Sequence, residues 1–210
     1  MINSVDEFIL FDDMQFTRRD WRNRNDIKTP NGLLRLSVPV KTKGKYLQKI
    51  KDTQISGNTW AKEHWRSIVL NYKKAEYFDE VSEWLEPFYL ENEFSNISEL
   101  NHSLLNAICR YMNIKTTITR SSDYEVVEGK TERLAHICLQ ANATEYVSGK
   151  AAQIYMDPTI FANLGLQLTW FEYPTYPEYP QLWGSFVHNV SVIDLLFNCG
   201  KQSLRYLAAE

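Results

Sequence analysis

Asp12 and Asp13 close the apolar run FILFDD, and four arginines follow within a dozen residues: Arg18, Arg19, Arg22 and Arg24. Adjacent carboxylates at a strand end can accept from sugar hydroxyls, hold a metal-bound phosphate, or act as general base toward an amine. Guanidinium groups close behind suit phosphate or carboxylate through bidentate contacts. On residue types alone, the stretch is equally a polar turn whose acids and arginines pair with one another in solvent, contributing little to stability.

Three other stretches carry candidate chemistry. In TEYVSGKAAQIYMD, Thr144 to Asp157, a strand runs through Ser148 and Gly149 into a helix. A glycine there permits close backbone approach, and a helix start with Lys150 favours an anion. A single Ser-Gly is far less specific than GxGxxG or a Walker loop, and the chain contains neither, so no nucleotide cofactor is specified. The loop from Tyr173 to Trp183 sets Tyr176, Tyr179 and Trp183 among Pro174, Pro177 and Pro180. It is either an ordered contact surface for sugars, rings or a partner protein, or a cover for the sheet. KTKGK, Lys41 to Lys45, is either a solvated hairpin tip or a phosphate contact.

The elements that must position these residues follow from periodicity. Glu7 to Phe11 and Gly32 to Lys41 are strand candidates, the second limited by Pro39 to an edge or a strand's end. From Trp60 to Phe78 the pattern turns helical, with Trp60, His64, Ile68 and Tyr72 four apart on one stripe, where His64 is a packing histidine or a catalyst. DEVSEWLEPFYL and SELNHSLLNAICRYMNI continue helical. Then KTTITRSS, TERLAHICLQAN, TEYVSG, AAQIYMDPTIFANLG and LQLTWFEYP alternate strand and helix, as βα units with parallel pairing do. SVIDLLFNCG closes as a helix, with Ser191 and Asp194 spaced like a capping box and Gly200 as its stop. The expectation is an α/β fold: a mainly parallel sheet flanked by helices, with a largely helical middle, in one domain over residues 1–210. Ligands in such folds bind beyond the carboxyl ends of the strands, which would put Asp12, Asp13 and Arg18 on one rim with Ser148 and Gly149.

Composition narrows the function classes. The chain has 210 residues, 44% hydrophobic and 23% charged, with a formal net charge of -3. That balance argues against wholesale nucleic-acid or anionic-membrane binding. No apolar run approaches the roughly 18 residues of a membrane span, and no signal-peptide pattern follows Met1, so a cytoplasmic protein is expected. Cys109, Cys138 and Cys199 are far apart and lack a CxxC partner, which suggests neither disulfides nor a zinc site. His64, His102, His136 and His188 never fall at metal-ligand spacing, so no metal is expected.

Taken in order, INSVDEFILFDDMQFTRRDWRNRN, LRLSVPVKTKGKYLQKI, WAKEHWRSIVLNYKKAEYF, YVSGKAAQIYMD and YPQLWGSFVHNVSVIDLLFNCG resemble the WbqC-like family. That family is found among bacterial surface-polysaccharide (O-antigen) and related biosynthetic functions. The resemblance implies work on an activated sugar or small amine, such as transfer of an acyl or aminoacyl group onto an amino sugar. It marks Asp12 and Asp13 as catalytic candidates, with Gln15 and Arg18 for substrate and Trp21 and Asn23 shaping the loop. Ser148, Gly149 and Lys150 are candidates for an anion, and Asp194 and Asn198 for buried polar support. No Ser-His-Asp order or Cys-His pair stands out, which favours transfer by orientation and acid/base help over a covalent intermediate. Two further classes stay open: a noncatalytic nucleotide-sugar or carrier-protein binding module, and an interaction protein using the aromatic loop.

The resemblance also implies that the family begins upstream of INSVDEF, with a strand and a loop bearing a His-Gln-Pro or Met-Gln-Pro-like element. The chain is then expected to be a shortened form that lacks a strand beside Glu7 to Phe11. Such a chain would have an exposed sheet edge and a tendency to aggregate.

Overall fold

Two parallel strand pairs, one antiparallel hairpin and six α-helices make up the computed structural model, which describes residues 1–207. The chain divides into two compact units. The first comprises Met1–Asp13 and Lys115–Pro174, and the second Met14–Ile114 and the chain from Thr175 onward.

In the first unit, β1 (Glu7–Leu10) pairs in parallel with β4 (Thr117–Arg120), Leu10 facing Arg120. Glu7 helps hold the pair, because its carboxylate accepts from the Thr119 hydroxyl at 2.5 Å and from the Tyr124 hydroxyl. A second parallel pair joins β5 (Glu145–Gly149) to β6 (Gln167–Phe171). Parallel strands need crossover helices. Here α4 (Glu132–Gln140) precedes β5, and α5 (Pro158–Asn163) links it to β6. The start of α5 follows from its sequence: Pro158 occupies the first turn and the Asp157 carboxylate accepts from the Thr159 amide at 2.9 Å. Ala135 and Cys138 of α4 and Phe161 of α5 form the core under this pair, where Phe161 stacks on Tyr146 with ring centres 5.2 Å apart. Burial pushes the Cys138 thiol up to about 11, which marks an inert packing residue.

The second unit holds the helical middle. Its hairpin, β2 (Arg24–Thr29) and β3 (Gly32–Ser37), turns at Pro30 and Asn31, and Gly32 supplies a φ of +103°. The strand expected to reach Lys41 stops at Ser37, before Pro39, while β2 carries none of the alternation that announces a strand. Asp26, Ile27 and Lys28 are buried in succession. Asp26 tolerates burial because it faces Arg35 across the hairpin and accepts two bonds from its guanidinium, each 2.8 Å. That pairing holds the Asp26 carboxyl below its usual range.

Helices α1 (Thr59–Tyr72), α2 (Phe78–Leu90), α3 (Ile97–Tyr111) and α6 (Val192–Cys199) complete the unit. The stripe Trp60, His64, Ile68 and Tyr72 is the buried face of α1, as its four-residue spacing requires. His64 packs edge-on against Trp60 and Tyr89, and burial lowers its pKa, so it acts as a neutral packing group. Around Ile68 and Tyr72, one core cluster gathers Ile27, Val81, Leu85, Leu196 and Phe197. A second gathers Phe16, Ile50, Ile55, Trp60, Ile97 and Leu100.

Helix α6 ends at Gly200, whose φ of +55° and ψ of −138° suit only glycine. A Cβ added there would lie 2.3 Å from Cδ1 of Tyr77. Gly200→Ala is therefore expected to destabilise the protein by about 2–4 kcal/mol, combining backbone strain with overpacking. Gly57 has a φ of +72° with open space around it, so Gly57→Ala should cost only the strain, about 1 kcal/mol. Urea unfolding of both variants measures the difference, and equal losses would show that Tyr77 is not a constraint.

Candidate functional site

β1 and β4 end side by side, and their carboxyl ends bring the acidic pair together. Asp12 and Asp13 follow Leu10 by two and three residues, and Ser121 immediately follows β4. The Ser121 hydroxyl lies 3.0 Å from Oδ1 of Asp12 and 3.0 Å from Oδ2 of Asp13. A serine hydroxyl carries one hydrogen, so it donates to only one of these carboxylates at a time. Asp12 and Ser121 are buried, whereas Asp13 is half-buried and is the more accessible acid.

The remaining residues of the opening stretch lie in the second unit, where they brace its loops. Gln15 donates through Nε2 to the Tyr46 carbonyl at 2.7 Å. Arg18 donates to the Thr42 carbonyl at 3.2 Å, and its guanidinium carbon sits 5.2 Å from the centre of the Tyr46 ring. Both therefore hold the Lys41–Tyr46 loop. Trp21 is exposed beside the Arg35 guanidinium. Asn23 donates to the Val38 carbonyl at 2.9 Å, and its buried Oδ1 has no partner among the described residues.

Ser148 and Gly149 close β5, which pairs with β6 and not with β1 or β4. Gly149 has an ordinary φ of −68°, so its backbone does not require glycine. The helix expected after it is a five-residue 3-10 segment, Lys150–Ile154. Lys150 forms an exposed ion pair with Glu172.

Asp194 and Asn198 belong to a different construction, on α6. Asp194 is fully buried, although its spacing from Ser191 suggests a capping box; Ser191 makes no side-chain cap. Its carboxylate faces inward and accepts from the hydroxyls of Tyr72 at 2.7 Å and Tyr179 at 2.8 Å. The Tyr72 oxygen accepts from the Lys28 amide at 3.0 Å. The Tyr179 oxygen accepts from Nε2 of Gln181 at 3.0 Å, and Oε1 of Gln181 accepts from the Lys28 ammonium at 2.8 Å. The bonds form a closed ring that leaves Lys28 by its backbone and returns to it by its side chain. Asn198 adds a bond to the Asp194 carbonyl at 2.7 Å.

Burial raises the Asp194 pKa, opposed by Tyr72, Tyr179 and the positive charge of Lys28. The same burial, with the carboxylate alongside, pushes both tyrosine hydroxyls far up, so they remain donors. Residue types and spacing did not single out Ser121, Lys28 or Gln181, and marked Tyr72 only as part of a helix stripe and Tyr179 only as part of the aromatic loop. Ser121 could have been found from its place directly after a strand, in KTTITRSS. The ring could not, because its members are 122 positions apart at Tyr72 and Asp194.

The WbqC-like protein family model matches residues 1–206, and the chain belongs to that family. A protein of Mycobacterium tuberculosis, called uncharacterized protein Rv1507c, is 54% identical over 207 residues, covering 99% of this chain and 90% of that protein. No solved structure matches significantly. Among the described residues, no helix is long and apolar enough to cross a membrane, and no three His, Cys, Asp or Glu side chains cluster to hold a metal ion.

Removing the Asp194 carboxylate leaves two buried hydroxyls without an acceptor, each worth about 1–3 kcal/mol. Asp194→Ala is expected to cost about 2–6 kcal/mol in urea unfolding, more than Tyr72→Phe or Tyr179→Phe alone. The raised pKa also sets a pH dependence. The folded carboxyl keeps its proton to higher pH than the unfolded one, so stability from this group falls as pH rises from the ordinary carboxylate range through the raised value. The stability of the native protein relative to Asp194→Asn should decline across that window and then level off. An increase across it would contradict the assignment.

Proposed function

We propose that this protein acts in bacterial surface-polysaccharide biosynthesis, transferring an acyl or aminoacyl group onto the amine of a nucleotide-linked amino sugar. Asp13 is the general base, and Asp12 and Ser121 are its positioning partners. The observation that carries the reading is the pair of carboxylates converging on one serine hydroxyl beyond the carboxyl ends of two parallel strands, where α/β folds hold their ligands. The substrate class is the one that the resemblance to the WbqC-like family implies.

In this scheme the amine lone pair attacks the acyl carbonyl carbon and forms the new C–N bond. The amine proton passes to the Asp13 carboxylate, and the donor's leaving group departs with its bonding pair. Buried Asp12 accepts from Ser121 when Asp13 receives the substrate proton, so the serine hydrogen switches acceptor as the charge on Asp13 disappears. A positioned base of this kind contributes about a hundred- to ten-thousand-fold in rate.

The test is mass-spectrometric detection of acylated product from nucleotide amino sugars and activated acyl donors. Asp13→Asn is expected to lower turnover by roughly two to four orders of magnitude, with a melting temperature within a few degrees of the native protein. Asp12→Asn and Ser121→Ala should lower turnover less. Undiminished turnover in Asp13→Asn would overturn the role of the base. Thermal stabilisation by the sugars without product would instead favour a binding module.

A further inference from the structure

A cavity of about 220 Å³ opens in the second unit between the β2–β3 turn and the segment after the Tyr and Pro loop. A cavity of roughly 150 Å³ is enough to hold benzene, so this one has room for a single ring bearing a small polar group. Pro30, Leu33, Trp183 and Val187 give it apolar walls, and Lys28 and Ser185 are its polar side.

Lys28 is the unusual member, being only 4% exposed. A lysine ammonium has three hydrogens. Two are used, toward Oε1 of Gln181 at 2.8 Å and the Ser185 carbonyl at 2.6 Å. Since Ser185 is itself a wall residue, the second bond places the ammonium at the cavity's edge. Both acceptors are neutral. Asp194, the carboxylate of the same ring, is bonded to two tyrosine hydroxyls and not to this ammonium. The Asp194 charge is felt by this ammonium without a direct bond, so a buried cation with neutral hydrogen-bond partners and a spare hydrogen gains from an anion that bonds to it directly.

The wall is built for shape as well. Trp183 holds a φ of +68°, a strained conformation for a bulky residue, next to Gly184 at +62°. Its indole is fixed by donation to the Asn71 carbonyl at 3.0 Å. Strain of this sort persists only where the surroundings over-determine it, and it concentrates at ligand sites.

We propose that this cavity binds a small organic monoanion, a carboxylate with a compact apolar or aromatic body, whose oxygen accepts the third hydrogen of the Lys28 ammonium. One spare donor suits a singly charged carboxylate better than a phosphate, which needs several. The site stands apart from the Asp13 reading, and either can fail with the other intact.

Titration with 4-fluorobenzoate, followed by ¹⁹F NMR, tests it against the neutral analogue 4-fluorobenzamide. The native protein should bind the benzoate saturably and the benzamide roughly tenfold or more weakly, the loss expected for one charge-assisted hydrogen bond. Lys28→Met should abolish the preference. Because that change also opens the hydrogen-bonded ring, Leu33→Trp is the companion variant: it fills the cavity from the exposed side of β3, removes none of the ring's hydrogen-bonding groups, and should abolish binding of both compounds. No saturable binding of the benzoate, equal binding of the two compounds, or unchanged binding in Leu33→Trp would each overturn the proposal.

Discussion

A carboxylate with no access to water must be satisfied by the protein, and the second unit is arranged around that requirement at Asp194. The charge sits on α6, yet the hydroxyls that stabilise it come from α1, through Tyr72, and from the Tyr and Pro loop, through Tyr179. Each hydroxyl is oriented in turn by a donor behind it, the Lys28 amide of β2 in one case and Gln181 in the other. Gln181 is itself saturated, since its amide nitrogen also reaches the Val187 carbonyl and its oxygen also accepts from the Val187 amide. Buried networks stabilise a structure when their members are satisfied, and this ring satisfies every member around Asp194, leaving one hydrogen of the Lys28 ammonium over. It thereby fixes four elements and presents the Lys28 ammonium beside a cavity.

The acidic pair of the first unit follows a more local logic. Two strands of a parallel pair end together, so residues just beyond them meet although 108 positions separate Asp13 from Ser121. With one hydroxyl hydrogen between two carboxylates, the arrangement has two states related by a hydroxyl rotation. The ring at Asp194 has donors for every acceptor and no such freedom. One cluster has a single pattern of donors, and the other has a hydroxyl that can serve either of two carboxylates.

Periodicity made much of the fold legible. The α1 stripe, the βα alternation after residue 115 and the glycine stop of α6 all express regular burial, which leaves its mark on spacing. The hairpin strand β2 did not, because Asp26 and Lys28 are buried through specific partners, Arg35 in one case and Gln181 with Ser185 in the other. Such partners are chosen by tertiary structure. Asp194 shows the same limit: its spacing from Ser191 fits a helix cap, and only the fold reveals that two tyrosines claim the side chain. At the acidic pair, strand end and residue type were readable, and Ser121 was marked only by its place directly after a strand, with nothing in the spacing to join it to the carboxylates. Gln15 and Arg18 are engaged by the Lys41–Tyr46 loop, a long-range contact that motif reading does not anticipate.

The claim most directly open to measurement is that the ring holds the Lys28 ammonium in place by hydrogen bonds. Side-chain NMR of protein carrying ¹⁵N-lysine reports the exchange of each ammonium's hydrogens with solvent. One resonance, absent from Lys28→Met, is expected to have hydrogens that exchange far more slowly than those of the exposed lysines and become fast in Gln181→Ala. If the Lys28 ammonium exchanges as rapidly as the exposed lysines in the native protein, the ring does not hold it, and the construction described around Asp194 is wrong.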